Sequence, residues 1–204
     1  MTTMHDFEPP ARELKKLLNG VSDDQLTAPT PCEKFTVGDL LDHVVGLTIA
    51  FRHAAMKSTG PGADGGRPGE VSAANLDQDW RDKLPSQLDE LVAAWRDPAA
   101  WEGITEAGGV TLPAEVMASV AIDELVLHSW DLACATGQPY DCDPDSAQVC
   151  FGFTSAMSAP EQEAGRQGLF GPVVAVPEDA PLFHRALGFS GRDPSWVPPA
   201  DRPA

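Results

Sequence analysis

The sequence is poor in positive charge, with 14 Lys and Arg residues against 31 Asp and Glu residues and a formal net charge of -17. Nucleic acids and anionic lipid surfaces are bound mainly by lysine and arginine side chains that neutralise phosphates. A chain this acidic repels both kinds of surface. We therefore expect neither nucleic acid nor a membrane among its partners.

Long apolar segments are also missing from the sequence, and we expect no secretion signal. No apolar run approaches the roughly 20 residues that a membrane-spanning helix needs. The N-terminus reads MTTMHDFEPPARELKK and lacks the basic start and apolar stretch of a signal peptide. We therefore predict a cytoplasmic location. The four cysteines show no C-x-x-C spacing, so we expect reduced thiols at Cys32, Cys134, Cys142 and Cys150.

Helical periodicity dominates the rest of the 204-residue chain. Apolar residues recur every three to four positions in four segments, which is typical of amphipathic helices. The second helix has the clearest start, because Thr36 and Asp39 have the spacing of a capping box. The fourth is predicted to run from near Pro113 to Gly137, a residue type suited to the position after a helix end.

A four-helix bundle is the simplest fold in which four long amphipathic helices can bury their apolar faces. We therefore predict an all-α fold with an extra fifth helix from residue 143 and an irregular C-terminal segment. A short hairpin is expected before the fourth helix, and a Gly- and Pro-rich loop is expected at 58–70. The predicted organisation is a single domain at 1–190 followed by a Pro-rich tail at 191–204.

Polar residues occupy the apolar stripes of two of these helices. In the second helix His43 lies between Leu40 and Leu47 at helical spacing, so its side chain should face inward. In the fourth helix Glu124 and His128 continue a row of valines that repeats every four residues. Side chains four apart are roughly 5 to 6 Å apart at Cβ, which is close enough to hold one ion.

One imidazole from the second helix and a carboxylate and an imidazole from the fourth would give three protein ligands. Catalytic zinc sites have three protein ligands and an open position, whereas structural sites are closed by four. Alternatively, His43 could be a core residue whose hydrogen bonds are satisfied by its neighbours. Glu124 and His128 could then simply form an ion pair or hydrogen bond within their own helix. Asp131 continues the row and could accept a hydrogen bond from His128 or face solvent. His53 is a reserve ligand, rotated from His43 by roughly 80°.

Three segments resemble a known family. The stretch TPCEKFTVGDLLDHVVG at 30–46 is similar to a signature of the DinB-like (YfiT-like) metalloenzyme superfamily, in the branch that contains mycothiol-dependent maleylpyruvate isomerases. A second signature of that branch resembles DELVLHSWDLACATG at 123–137. The stretch FGPVVAVPEDAPLFHRALGFSGRDP at 170–194 resembles the C-terminal segment of a sub-branch of uncharacterised metal-binding proteins. The resemblance implies a DinB-type bundle with His43, Glu124 and His128 as metal ligands.

The resemblance also implies a chemistry. It points to a metal-dependent enzyme that uses a low-molecular-weight thiol such as mycothiol in S-transfer to, or isomerisation of, a small electrophile. The ion would be divalent, with zinc or nickel favoured, and would lower the pKa of the bound thiol. Asp131 could orient a ligand or act as a base, and Trp130 could line the cofactor pocket or simply pack in the core. Residues 160–204 are too short and too Pro-rich to resemble the isomerases' C-terminal domain, so the isomerase substrate does not transfer.

A second class of function stays open: a non-enzymatic metal-binding or small-molecule-binding protein on the same scaffold. The open coordination position favours the enzyme, whereas the lack of an acid–base partner beyond Asp131 favours the binding protein. Assembly as a homodimer through an exposed helix face is also predicted. The candidate surface for that contact comprises Trp95, Trp101 and the apolar stretch FGPVVAV at 170–176.

Overall fold

The structure of the protein, a computed structural model, describes residues 4–58, 71–166 and 168–199. The predicted Gly- and Pro-rich loop lies outside these residues except for Ser58. The helices in the described residues are α1 Glu8–Leu18, α2 Val37–Ala55, α3 Trp80–Trp95, α4 Ala114–Thr136, α5 Pro144–Met157, α6 Glu163–Arg166 and α7 Leu182–Phe189. Strands β1 Ile104–Ala107 and β2 Val110–Pro113 pair as an antiparallel hairpin before α4.

The helices that carry the site begin and end where local chemistry predicts. The Thr36 N–H donates to Asp39 Oδ2 at 2.9 Å and the Asp39 N–H donates to Thr36 Oγ1 at 3.3 Å, which forms the predicted capping box of α2. At the end of α4, Gly137 has a left-handed backbone with φ 68°, a conformation that glycine adopts without strain. These local interactions fix the register of both helices.

The core lies among the first four helices. Helix α2 packs against α3 and α4, and α1 packs against the same two helices from another side. Leucines at helical spacing fill the space between them, with Leu14, Leu40, Leu84, Leu88 and Leu125 almost fully buried. This arrangement confirms the predicted all-α bundle. Among the described residues, no helix is both long and apolar enough to cross a membrane.

The prediction that Trp95 and Trp101 form part of an exposed dimer surface is wrong, because both side chains belong to the core. Assembly as a homodimer stays a prediction. Trp95 is 1% exposed and Trp101 is 5% exposed. The Trp101 indole N–H donates to the Trp95 carbonyl at 2.8 Å, and Phe7 stacks on Trp95 with ring centroids 5.2 Å apart. Helix α1 and the turn after α3 therefore close over both side chains.

The C-terminal segment is attached to the bundle through α5 and α7, which pack closely on each other. An extended stretch lies against the end of α7, where the Val174 N–H donates to the Gly188 carbonyl at 2.9 Å. A Cβ atom at Gly188 would lie 2.5 Å from Val176 Cγ2 and 2.6 Å from the Val174 carbonyl oxygen. Glycine is therefore required at this position by close approach of the backbone.

We expect Gly188→Ala to destabilise the fold and the matched change Gly152→Ala to leave it equally or more stable. The methyl group added at Gly188 would lie too close to a backbone oxygen and should reduce the free energy of unfolding by about 1–3 kcal/mol. Gly152 lies within α5, and a methyl group added there would have no atom within 4 Å, so alanine should add helix propensity. Urea unfolding of both variants is the measurement. Equal midpoints would contradict the close approach at Gly188.

Candidate metal centre

The structure brings the three predicted ligands together between α2 and α4. His128 Nε2 lies 2.9 Å from Glu124 Oε2, and His43 Nε2 lies 3.9 Å from the same oxygen. The two imidazole rings meet edge to face with centroids 5.0 Å apart. Within the described residues, this is the group of His, Cys, Asp and Glu side chains whose ligand atoms all lie within 4.8 Å of one another.

The geometry and chemistry of the three side chains suit a divalent ion. Ligand atoms at roughly 2.0–2.2 Å from zinc in a tetrahedral shell are about 3.4 Å apart. The separations of 2.9 and 3.9 Å from Glu124 Oε2 fall on either side of that distance, and all three ligand atoms lie within 4.8 Å of one another. Two imidazoles and one carboxylate are ligands that zinc, nickel and iron accept. Three ligands leave a coordination position for another molecule.

The electrostatics of the centre depend on the two histidines and the carboxylate between them. Burial alone would raise the pKa of Glu124, but its hydrogen bonds to His128 and His43 and the attraction of both rings hold the pKa well below the usual range. Burial would lower the pKa of His128, whereas bonds to Asp131 and Glu124 raise it to about 9. An ion entering the centre must therefore displace a proton from His128 near neutral pH.

Asp131 lies behind His128, on the side away from Glu124. The carboxylate is fully buried, and its Oδ2 lies 3.0 Å from His128 Nδ1. Arg192 donates one hydrogen bond to each carboxylate oxygen, from Nε to Oδ1 at 2.8 Å and from Nη2 to Oδ2 at 2.7 Å. Burial would raise the pKa of Asp131, but the charge and hydrogen bonds of Arg192 and then of His128 hold it low.

This arrangement determines which nitrogen of His128 faces the centre. An ionised carboxylate only accepts hydrogen bonds, so His128 Nδ1 must carry the proton that points at Asp131. The Nε2 atom is then the one available beside Glu124. Such a carboxylate behind a ligating histidine is the usual way in which proteins orient a metal ligand.

Sequence reasoning missed Arg192. The residue is 61 positions from Asp131 in sequence and belongs to the segment predicted as a Pro-rich tail, yet its guanidinium is buried. Helical periodicity relates residues of one helix and gives no information about such a distant contact. The one available indication was its presence in the stretch GFSGRDP, within the segment that resembles the metal-binding sub-branch.

Other predicted site residues lie outside the centre. The reserve ligand His53 has its Nε2 3.4 Å from Arg52 Nη2 and is not part of the ligand group. Trp130 is buried in the core and does not line the large cavity beside the centre. Asp123, which was not a predicted site residue, is next to Glu124 but rotated by about 100° and points into the interface with α5. There it accepts a hydrogen bond from Cys150 Sγ at 2.9 Å.

All four cysteines carry free thiols, as predicted. Burial raises the pKa of Cys134 and of Cys142 to about 12, and it raises the pKa of Cys150 well above the usual range. Burial also raises the pKa of Cys32. The thiolate is the nucleophilic form of cysteine, so none of these side chains is activated for attack at neutral pH.

A cavity of about 750 Å³ opens beside the centre, a size typical of small-molecule sites. His43 and Glu124 form part of its wall, whereas His128 and Asp131 do not. Asp131 is therefore separated from the cavity by the ring of His128. The rest of the wall comes mainly from apolar residues of α2, β2, α4 and α5 and of the segment after α6.

We expect Arg192→Met to lower the free energy of unfolding by roughly 3–5 kcal/mol, because it leaves Asp131 as a buried carboxylate without its cation. The matched control is Arg96→Met, which removes an exposed ion pair to Glu8 at 2.9 Å and should cost at most about 1 kcal/mol. Urea unfolding in the presence of a chelator excludes any contribution from bound metal. Equal losses in the two variants would show that Arg192 does not hold Asp131 in place.

Comparisons with known proteins identify relatives of the chain. Residues 7–133, more than half of the chain, match the family model of the mycothiol maleylpyruvate isomerase N-terminal domain. Two uncharacterised proteins from two strains of Mycobacterium tuberculosis are each 29% identical to the chain over 187 residues, which is 86% of this chain and 90% of the relative.

Two crystal structures of mycothiol-dependent maleylpyruvate isomerase share the fold. One, of a histidine-to-alanine mutant, has a TM-score of 0.58 at 19% identity and covers 87% of this chain and 80% of that chain. The other has a TM-score of 0.50 at 18% identity, with 78% and 76% covered. Identities this low support the shared fold alone. The family match over residues 7–133 goes further, and the chain belongs to the mycothiol maleylpyruvate isomerase N-terminal domain family.

Proposed function

We propose that the protein is a metal-dependent enzyme that uses a low-molecular-weight thiol, mycothiol or a similar molecule, in S-transfer to, or isomerisation of, a small electrophile. The observation that carries the proposal is a group of three side chains of metal-ligand type, His43, Glu124 and His128, of which the first two form part of the wall of a cavity of about 750 Å³. The two structural neighbours are mycothiol-dependent maleylpyruvate isomerases, which supports the choice of thiol.

His43, Glu124 and His128 would hold one divalent ion, with zinc or nickel favoured. Bound there, the ion would supply the Lewis acidity that lowers the pKa of a thiol in the open position, so that the thiol reacts as a thiolate near neutral pH. The protein's own cysteines support an external thiol, because burial raises the pKa of all four. The attacking sulfur would therefore come from the cosubstrate.

The chain's other residues would position the ligands and enclose the reactants. Asp131 would act as a positioning residue, because its carboxylate accepts the His128 Nδ1–H and leaves Nε2 for the ion. Arg192 would keep Asp131 ionised and correctly oriented through its two hydrogen bonds. The apolar cavity wall would exclude water from the reacting sulfur, which would limit competing hydrolysis.

A non-enzymatic metal-binding or small-molecule-binding protein is the second candidate. The composition of the cavity wall favours this candidate. Among the described lining residues, Asp42 is the one titratable group besides His43 and Glu124. The Asp42 carboxylate accepts hydrogen bonds from the Ser72 N–H at 3.1 Å and the Asn75 amide at 3.4 Å. A reaction that needs a separate acid or base would have few residues to provide it.

Metal affinity in three variants tests the ligand set. His43→Ala should abolish tight binding, because two protein ligands remain. Glu124→Gln should weaken binding strongly, since the amide keeps the shape of the side chain and loses its charge. His53→Ala is the matched control and should bind as the unmodified protein does. Competition with a chromogenic chelator measures all three affinities. Binding retained by His43→Ala and lost by His53→Ala would refute the ligand assignment.

Turnover separates the enzyme from the binding protein. The metal-loaded protein, mixed with mycothiol and a chromogenic electrophile, should consume the electrophile in a reaction that stops when either the metal or the thiol is withheld. Cys134→Ser should retain this activity, because its thiol stays protonated and takes no part. Metal binding of normal affinity without any turnover above the uncatalysed rate would favour the second candidate.

A further inference from the structure

Part of the cavity wall is built by residues that follow the segment 7–133 matched by the family model. Phe153 and Met157 of α5 line the cavity four positions apart, so both side chains lie on one face of that helix. Leu169, after α6, belongs to the same part of the wall. The metal ligands lie on α2 and α4, so this boundary of the cavity is a property of the C-terminal part of the chain.

The register of α5 on α4 places Phe153 near the level of the metal centre. The Cys150 thiol donates to Asp123 Oδ1 at 2.9 Å, and Asp123 directly precedes the ligand Glu124. Phe153 lies three residues after Cys150, which is roughly one helical turn, or about 4.5 Å along the axis. Glu124 and Phe153 also line the same cavity. A molecule that fills the cavity beside Glu124 is therefore within reach of the Phe153 ring.

A second ring and a cation support the Phe153 ring. Phe153 packs edge to face on Phe170, with ring centroids 6.0 Å apart. The Arg166 guanidinium lies 5.4 Å from the centroid of the Phe170 ring, and its Nε donates to the Gly171 carbonyl at 3.1 Å. Phe170 itself packs against the core and does not line the cavity. A ligand that pushed the Phe153 ring away would have to break these contacts.

The other lining residues of this part of the wall restrict a ligand less. Met157 has an unbranched side chain, a type that adapts its shape to what it contacts. Leu169 and Gln162 are exposed, so both side chains can turn into solvent. Two further lining positions after α5 are glycines, which have no side chain. The supported ring of Phe153 is therefore the feature here that restricts the length of a ligand.

We propose that Phe153 sets the length of the apolar group that the cavity accepts beside the metal centre. The substrate class that follows is an electrophile with an apolar chain or ring short enough to end at Phe153. That the bound molecule is an electrophile rests on the proposed function. The length limit itself is a property of the cavity wall and holds in the absence of metal and thiol.

A homologous series of unbranched primary alcohols, from butanol to decanol, tests the limit. These probes are uncharged, react with neither metal nor thiol, and differ by one methylene group at a time. Each is titrated by calorimetry into protein stripped of metal by a chelator. Every methylene group that becomes buried should lower the dissociation constant about fourfold. Beyond the chain length that reaches Phe153, further methylene groups should bring no further gain.

Two substitutions of Phe153 should move this length in opposite directions. Phe153→Ala should raise it by roughly two or three methylene groups, because the surroundings only partly fill the space that the ring leaves. Phe153→Trp should lower it, because the larger ring extends further into the cavity. The matched control is Phe151→Ala, also on α5, where the ring packs on Phe189 with centroids 5.8 Å apart and does not line the cavity. The control should keep the original length.

Three results would overturn the inference: no measurable binding of any alcohol, an unchanged length in the Phe153 variants, or an equal shift in Phe151→Ala. Phe153→Trp keeps an aromatic ring against Phe170, so it decides the matter even if Phe153→Ala does not fold. The metal-stripped protein separates this inference from the proposed function. A length limit set by Phe153 without metal-dependent turnover would refute the proposed enzyme alone. Turnover with an unchanged limit in the Phe153 variants would refute this inference alone.

Discussion

Asp131 is the residue on which the other features of the centre depend. Its carboxylate, on α4, is fully buried. A buried charge is stable there because Arg192 donates hydrogen bonds to both oxygens and His128 donates to one of them. The same contacts attach the C-terminal segment to the bundle and fix the orientation of a ligating ring. Stability and the geometry of the candidate metal centre are therefore coupled through one side chain, and the segment after α7 contributes to that geometry.

The centre consists of three polar side chains, His43, Glu124 and His128, beside an apolar cavity. The properties of each part depend on the other. Glu124 stays ionised although burial disfavours its charge, because two imidazoles lie against it. An ion held by these groups would act in surroundings of low polarity, where its charge has a stronger effect on a bound thiol than it has in water. The apolar wall also limits what can reach that thiol. In the proposed enzyme, the reactivity of the thiol and its protection from solvent would thus have the same physical origin.

Prediction from the sequence succeeded where the interactions are local. The capping box at Thr36 and the left-handed Gly137 are properties of a few neighbouring residues, and the structure has both. The alignment of Glu124 with His128 follows from the helical period. The position of His43 opposite them needed one further step, the assumption that leucines on either side of it face the core. Prediction failed for Trp95 and Trp101, whose burial depends on how α1 packs over them.

The sequence by itself determined the helices, their inward faces and the ligand types that those faces carry, because backbone geometry repeats every 3.6 residues and depends on short-range bonds. The tertiary structure alone decided the contact of Arg192 with Asp131 and the shape of the cavity. These features join residues that are far apart in the chain. Their positions depend on how the helices pack, and no short-range pattern records that packing.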